Sequence, residues 1–334
     1  MHSLPVILGL LLGSAVLIYL ACEFFVNGVE WVGRKMAVGQ KATGTILAAF
    51  GTALPESVVT FVAVTFPHTV ADKDIGVGAA MGGPLALGTV AYAVVGVTLL
   101  LCKRQLPSGE EGRILYAGLS RDQAWFIVIS IAKLAVGIAA FAFKPWLGVL
   151  FLAAYAAYAW KEMTGVEDAE EVELEPLKLT PRATTPTALA ATVQTLAALA
   201  VIFAASRFFV GQLGALGPYL NLKPQLLSLL ISPIATELPE TLNAVIWIRQ
   251  GKVRLALANI SGAMMIQATV PTAFGLFATP WVLDQALVLA GAVTLLSVSI
   301  LFFAFWRGWI TRTYLALMSL AYVAFAAITL GFGL

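Results

Sequence analysis

The chain has 334 residues, of which 60% are hydrophobic and 11% charged, and its mean hydropathy is +0.91. Soluble globular domains carry roughly 25% charged residues, so this composition excludes a cytosolic enzyme, a disordered chain and a nucleic-acid binder. The net charge of +2 points to no polyanionic partner. What remains is an all-α integral membrane protein.

In chain order, apolar runs long enough to cross about 30 Å of hydrocarbon fall at 4–25, 42–66, 75–102, 123–142 and 145–160. A second set follows at 187–210, 222–248, 253–278, 284–304 and 313–331. These ten spans divide five and five around a polar stretch at 161–186. The first run, Leu4 to Phe25, lacks the basic flank of a signal peptide and exceeds its apolar core, so it is expected to be retained as a span. Counting Lys and Arg loop by loop places fifteen on one side, four on the other, and Lys133 within a span. The positive-inside rule makes the rich side cytoplasmic. Both termini are then expected outside and the 161–186 linker inside. A missed span would scramble this alternation.

The linker holds Glu162, Glu167, Asp168, Glu170, Glu171, Glu173 and Glu175. Seven acids there could bind a regulatory divalent ion, but the stretch lacks the spaced Asp, Asn and Gly of an EF-hand loop and reads first as a solvated, self-repelling connector. Cys22 and Cys102 have no metal-ligand spacing. His2 and His68 are the only histidines, too few for a haem, zinc or His-relay site.

An internal repeat concentrates the polar residues. Residues 50–60 read FGTALPESVVT and residues 234–244 read IATELPETLNA; Thr52, Leu54, Pro55 and Glu56 match Thr236, Leu238, Pro239 and Glu240 at an offset of 184. Each is followed by a second similar run, DIGVGAAMGG at 74–83 and RLALANISGA at 254–263. Each copy covers the second and third spans of a five-span half, so the odd span count inverts one copy relative to the other. Inverted repeats with broken helices at the midplane are the architecture of secondary transporters.

The prolines break their helices because they have no N–H and crowd the carbonyls four residues back, those of Gly51 and Ala235. A freed carbonyl in hydrocarbon needs an occupant: a cation, a water or a neighbouring helix. Glu56 and Glu240 lie mid-span, where an ionisable group is a functional-site hypothesis by default. Two carboxylates, the hydroxyls of Thr52 and Thr236 and the freed carbonyls form the all-oxygen shell that Ca²⁺ prefers. A transition metal would recruit His or Cys, and neither is near.

These motifs resemble the alpha-1 and alpha-2 repeats of the sodium/calcium exchanger family, part of the cation/Ca²⁺ antiporter superfamily, with the best-matched stretches at about 44–100 and 228–278. The resemblance implies a first five-helix repeat at 1–160, a cytoplasmic acidic linker at 161–186 and a second five-helix repeat at 187–334. It also implies Ca²⁺ exchange for Na⁺ or H⁺ by alternating access, with Glu56, Glu240, Thr52 and Thr236 as cation ligands. The first and sixth spans are then expected to slide or rock against the core.

The chain departs from the family pattern Gly-Thr-Ser-x-Pro-Glu, with Ala53 and Glu237 at the serine positions. The following span of such relatives reads Gly-Asn-x-x-Gly-Ser-Asn; here only Asn259 keeps an asparagine and both Ser-Asn pairs are absent. Those groups contribute to Na⁺ sites in Na⁺-coupled relatives. Glu237 lies three residues before Glu240, close enough on a helix to crowd the site with a further carboxylate. It is expected either to carry a proton or ligate Ca²⁺, or to face a water-filled vestibule and attract cations. Asn259, with Ser232, Ser261 and Gln267, is expected to line the pathway. Gly82, Gly83 and Pro84 suggest close helix approach or a second break.

No bound cofactor is called for. The partners expected are inorganic cations and the lipid bilayer, and a monomer suffices. Antiport of another divalent cation (Mg²⁺ or Mn²⁺) and a passive cation channel stay open as alternatives. An intramembrane enzyme lacks its nucleophile-and-base cluster.

Overall fold

A computed structural model describes residues 3–35, 53–139, 143–164, 174–183 and 185–332. Gly51, Thr52 and the linker acids Glu167, Asp168, Glu170, Glu171 and Glu173 lie outside the described residues, so the expectations placed on them do too. Among the described residues the chain is helical and contains no strand.

The first half comprises α1 (Leu4–Lys35), α2 (Leu54–Thr65), α3 (Val70–Ala86), α4 (Tyr92–Leu101), α5 (Gly109–Ile138) and α6 (Lys144–Thr164). The second half comprises α7 (Ala188–Leu220), α8 (Pro224–Thr236), α9 (Leu238–Arg249), α10 (Val253–Ala278), α11 (Gln285–Arg307), α12 (Arg312–Leu317) and α13 (Ser319–Phe332). Among the described residues, six stretches are long and apolar enough to cross a membrane: α1, the run from Val70 to Leu101, α7, α10, α11 and the run from Arg312 to Phe332.

Several helices outrun their predicted apolar spans. α1 continues ten residues past Phe25, α7 ten past Val210, and α5 begins at Gly109 instead of 123. Hydropathy marks only the hydrocarbon-crossing part of a helix, whereas backbone hydrogen bonding continues through polar residues to the helix cap. The span predicted at 222–248 divides into α8 and α9, as its Pro-Glu motif requires.

Burial separates two kinds of helix. α10 is buried on nearly every face, and α3 from Ile75 to Ala86 is buried throughout. α1 and α7 leave many large apolar side chains outward, including Leu12, Val16, Leu189 and Phe208. An outward apolar surface is stable only against lipid. The motif helices therefore form the centre, and α1 and α7, which run against each other, form a lipid-facing pair beside it.

Small residues permit the central contact. A Cβ on Gly78 would lie 2.2 Å from the Gln225 carbonyl oxygen, and one on Gly82 would lie 2.6 Å from that of Leu229. These glycines, one helical turn apart on α3, let its backbone touch that of α8. Pro84 follows, and a π-helical turn at Leu87–Ala91 stands between α3 and α4. Close approach and a second irregularity thus both occur in this segment.

Candidate functional site

The two Pro-Glu motifs make matching breaks. Ala53 precedes α2 with φ −80° and ψ −1°, and Glu237 separates α8 from α9 with φ −94° and ψ 1°. Both lie in the sparsely populated region between helix and strand, and they are equivalent positions of the repeat. Pro55 and Pro239 then occupy the first turn of the following helix, where a missing N–H is tolerated. The glutamates Glu56 and Glu240 fall in the same first turns and are fully buried.

Across the repeat interface the Thr236 hydroxyl lies 2.6 Å from Glu56 Oε2, 3.2 Å from Glu237 Oε1 and 3.1 Å from the Ser232 carbonyl oxygen. Gln267 of α10 donates through Nε2 to Glu237 Oε2 at 2.6 Å. The Thr60 hydroxyl, one turn beyond Glu56, is buried without a hydrogen-bond partner among the described residues. α3 closes the cluster from the side: a Cβ on Gly83 would lie 2.6 Å from Gln267 Oε1 and 3.3 Å from Glu237 Oε1. Glu56, Thr236, Glu237 and Gln267 thus come together from α2, α8, the α8–α9 break and α10.

Glu240 is fully buried in the first turn of α9. Asn259 is buried with its Nδ2 lacking a hydrogen-bond partner among the described residues, and Ala235 is buried on α8. Ser261 joins a different cluster: it donates to Asp122 Oδ2 at 3.1 Å and lies near Gln123 Nε2 at 3.4 Å, while that amide donates to Tyr92 Oη at 2.8 Å. Among the described residues no three His, Cys, Asp or Glu side chains converge as a metal cluster. The converging set is mixed, with two carboxylates, hydroxyls and an amide.

Several buried oxygens in these helices have no hydrogen-bond partner among the described residues: Glu56 Oε1, Ser228 Oγ, Ser232 Oγ and Gln267 Oε1. Unpaired oxygens in a water-free interior are costly, and a hard cation satisfies such oxygens directly. Sequence reasoning passed over Ser228 and Thr60. Each could have been found by helical spacing, since Ser228 precedes Ser232 by four and Thr60 follows Glu56 by four.

The sodium/calcium exchanger protein model matches residues 6–161 and 190–331. The chain belongs to that family. This exchanger-family protein is 26% identical over 282 residues to CaxA of Alkalimonas amylolytica, covering 83% of this chain and 82% of the relative. It is also 26% identical over 306 residues to the inner membrane protein YrbG of Escherichia coli K12, covering 88% and 86%. The crystal structure of the H⁺/Ca²⁺ exchanger CAX superposes with a TM-score of 0.70 at 16% identity, covering 99% of this chain and 88% of that one. A structure of the sodium-calcium exchanger NCX_Mj superposes with a TM-score of 0.62 at 17% identity, covering 97% and 98%. The fold is accordingly that of an all-α, multi-pass integral membrane protein with two inverted repeats.

Proposed function

We propose that the protein is a secondary active antiporter that moves Ca²⁺ across the membrane in exchange for H⁺ or Na⁺ by alternating access. Membership of the exchanger family supports the general class, cation/Ca²⁺ antiport. The observation that carries the finer reading is the bond from Thr236 to Glu56, which joins the two repeats at their helix breaks. A Ca²⁺ ion entering there would take oxygen ligands from both halves at once. Movement of one half against the other would then change access to the ion.

In this reading Glu56 and Glu240 are the principal carboxylate ligands, with Thr52, Thr236, Asn259 and the carbonyls of Gly51 and Ala235 contributing. Glu237 holds the exchanged proton. The Thr236 hydroxyl has one hydrogen and three acceptor oxygens within reach, those of Glu56, Glu237 and Ser232. A proton on Glu237 Oε1, donated to Thr236 Oγ1, closes the chain; Thr236 then donates to Glu56 Oε2. Arriving Ca²⁺ would displace that proton and take the vacated oxygen, which couples the two ions at one atom. H⁺ is therefore favoured over Na⁺ as the counter-ion.

The repeats are taken as 1–160 and 187–334, joined by a cytoplasmic linker at 161–186, with both termini outside. The testing experiment reconstitutes the protein in proteoliposomes with the potential clamped and follows Ca²⁺ under an imposed H⁺ gradient, then under a Na⁺ gradient. Ca²⁺ movement driven by H⁺, and lost in Glu56→Gln, is expected. Movement driven only by Na⁺ would overturn the role given to Glu237. Net Ca²⁺ flux down its own gradient that is independent of H⁺, Na⁺ and Ca²⁺ on the opposite side would indicate a channel.

A further inference from the structure

Lys133, expected within the fourth span, is buried, and none of the ligand roles above uses it. It lies on α5 with 3% of its surface exposed. Among the described residues it makes no contact ion pair. Its ammonium instead donates to the carbonyl oxygen of Ala80 on α3 at 2.7 Å. That carbonyl is special for a reason visible in the sequence. Its helical partner would be the N–H four residues on, and that residue is Pro84. Pro84 therefore frees a carbonyl in the centre of the protein, and Lys133 occupies it.

The ammonium has a second neighbour. It lies 5.9 Å from the centroid of the Trp281 ring, within cation–π range. Trp281 is fully buried, with φ at +48°, and its indole N–H points back to the Lys133 carbonyl at 3.4 Å. A non-glycine residue in the left-handed region is strained, so the surrounding structure holds this tryptophan where it is. Electrostatically the group that Lys133 acts on is Glu56. A freed carbonyl, an aromatic face and a nearby carboxylate are together what a small monovalent cation would seek.

We propose that the Lys133 ammonium is a tethered monovalent cation, filling the subsite that Pro84 opens at Ala80 and acting electrostatically on Glu56. This rests on the reading of Glu56 as a ligand of the transported ion. The subsite then takes no free Na⁺ in the native protein. Removing the ammonium leaves the Ala80 carbonyl without its partner, a position which Na⁺ or Li⁺ can enter.

The test is Ca²⁺/Ca²⁺ exchange in proteoliposomes, which needs no counter-ion gradient, measured in choline medium and again with Na⁺ or Li⁺ added. The variants are Lys133→Met, Lys133→Gln, which keeps a hydrogen-bond donor without the charge, and Lys133→Arg. The wild type and Lys133→Arg should exchange equally in choline. The Met and Gln variants should be about tenfold slower in choline and recover when Na⁺ or Li⁺ is added. A purely structural role for Lys133 would show no such recovery. Exchange by the Gln variant at the wild-type rate in choline would overturn the proposal, and so would slow exchange that Na⁺ and Li⁺ leave unrestored. If the Met variant is not monodisperse, the Gln variant decides alone; if neither is, the charge has a folding role that the proposal does not contain, and it fails. Glu56→Gln is assayed in parallel. Full exchange by that variant would remove the underlying reading of Glu56, whatever the lysine variants do.

Discussion

The hydroxyl of Thr236 lies 2.6 Å from Oε2 of Glu56, a contact between residues 180 positions apart that bridges the two repeats. Both residues are fully buried. A hydrogen bond to a charged group contributes about 1.5–3 kcal/mol. Thr236→Val, which keeps the shape and removes the hydroxyl, should therefore weaken Ca²⁺ affinity about ten- to a hundredfold. Thr236→Ser should stay near wild type. Equal Ca²⁺ dependence of flux in the Val and Ser variants would remove Thr236 from the site.

Glu237 shares its two oxygens between Thr236 and Gln267. Glutamine at this position can keep both bonds, donating to one partner and accepting from the other, but it cannot exchange a proton with Ca²⁺. Glu237→Gln should still bind Ca²⁺ and should transport it at a rate that no longer changes with pH. A pH–rate profile of wild-type shape in this variant would show that the proton is carried elsewhere.

Two glycines five residues apart on α3 should respond differently to the same substitution. A Cβ at Gly78 would meet the backbone of α8, at the Gln225 carbonyl, so Gly78→Ala must separate the helices. Overpacking of this kind costs about 1–3 kcal/mol, and the thermal midpoint should fall. A Cβ at Gly83 would meet Oε1 of Gln267, the far end of a flexible side chain. Gly83→Ala should leave the α3–α8 backbone contact intact while displacing Gln267 from Glu237 and altering Ca²⁺ transport. Thermal unfolding and flux measured on both variants test the contrast.

The end of the linker is fastened to the lipid-facing pair. Asn27 of α1 donates to the carbonyls of Glu175 and Pro176 at 3.3 and 3.4 Å, and its Oδ1 accepts from the Lys178 N–H at 3.0 Å and from Gln194 Nε2 at 2.9 Å. Lys178 also reaches Glu23 at 3.0 Å, and Leu177 is fully buried beside Trp31. Asn27→Leu keeps the volume and removes all four bonds. Trypsin should then cut after Lys178 about tenfold faster, since local opening becomes easier. An unchanged cleavage rate would mean that Leu177 and Trp31 hold the segment without Asn27.

Glu23 and Asn27 show where span-by-span reading stops. Near the end of a span such residues commonly reach for the interface, and nothing local indicates that a segment 148 residues away will return to meet them. Lys133 is a similar case. Its oddity is plain from hydropathy, and the consequence of Pro84 for Ala80 is plain from the helical hydrogen-bond pattern. Only the packing of α5 against the centre brings the ammonium to that carbonyl.

The sequence by itself determined the membrane class, the helical content, the repeat and the two breaks. Each follows from a local cause: hydrocarbon excludes unpaired backbone groups, and proline removes a donor wherever it stands. The same local logic singled out Glu56, Thr236, Glu237 and Gln267 before any contact was known. Tertiary structure decided which of these polar groups meet. Thr236 reaches Glu56 from the opposite repeat, Gln267 takes Glu237, and Ser261 turns to Asp122. Those choices depend on how α3, α8 and α10 approach one another through Gly78, Gly82 and Gly83. A hydrogen bond is made within about 3 Å, and sequence spacing along a helix does not set distances between helices.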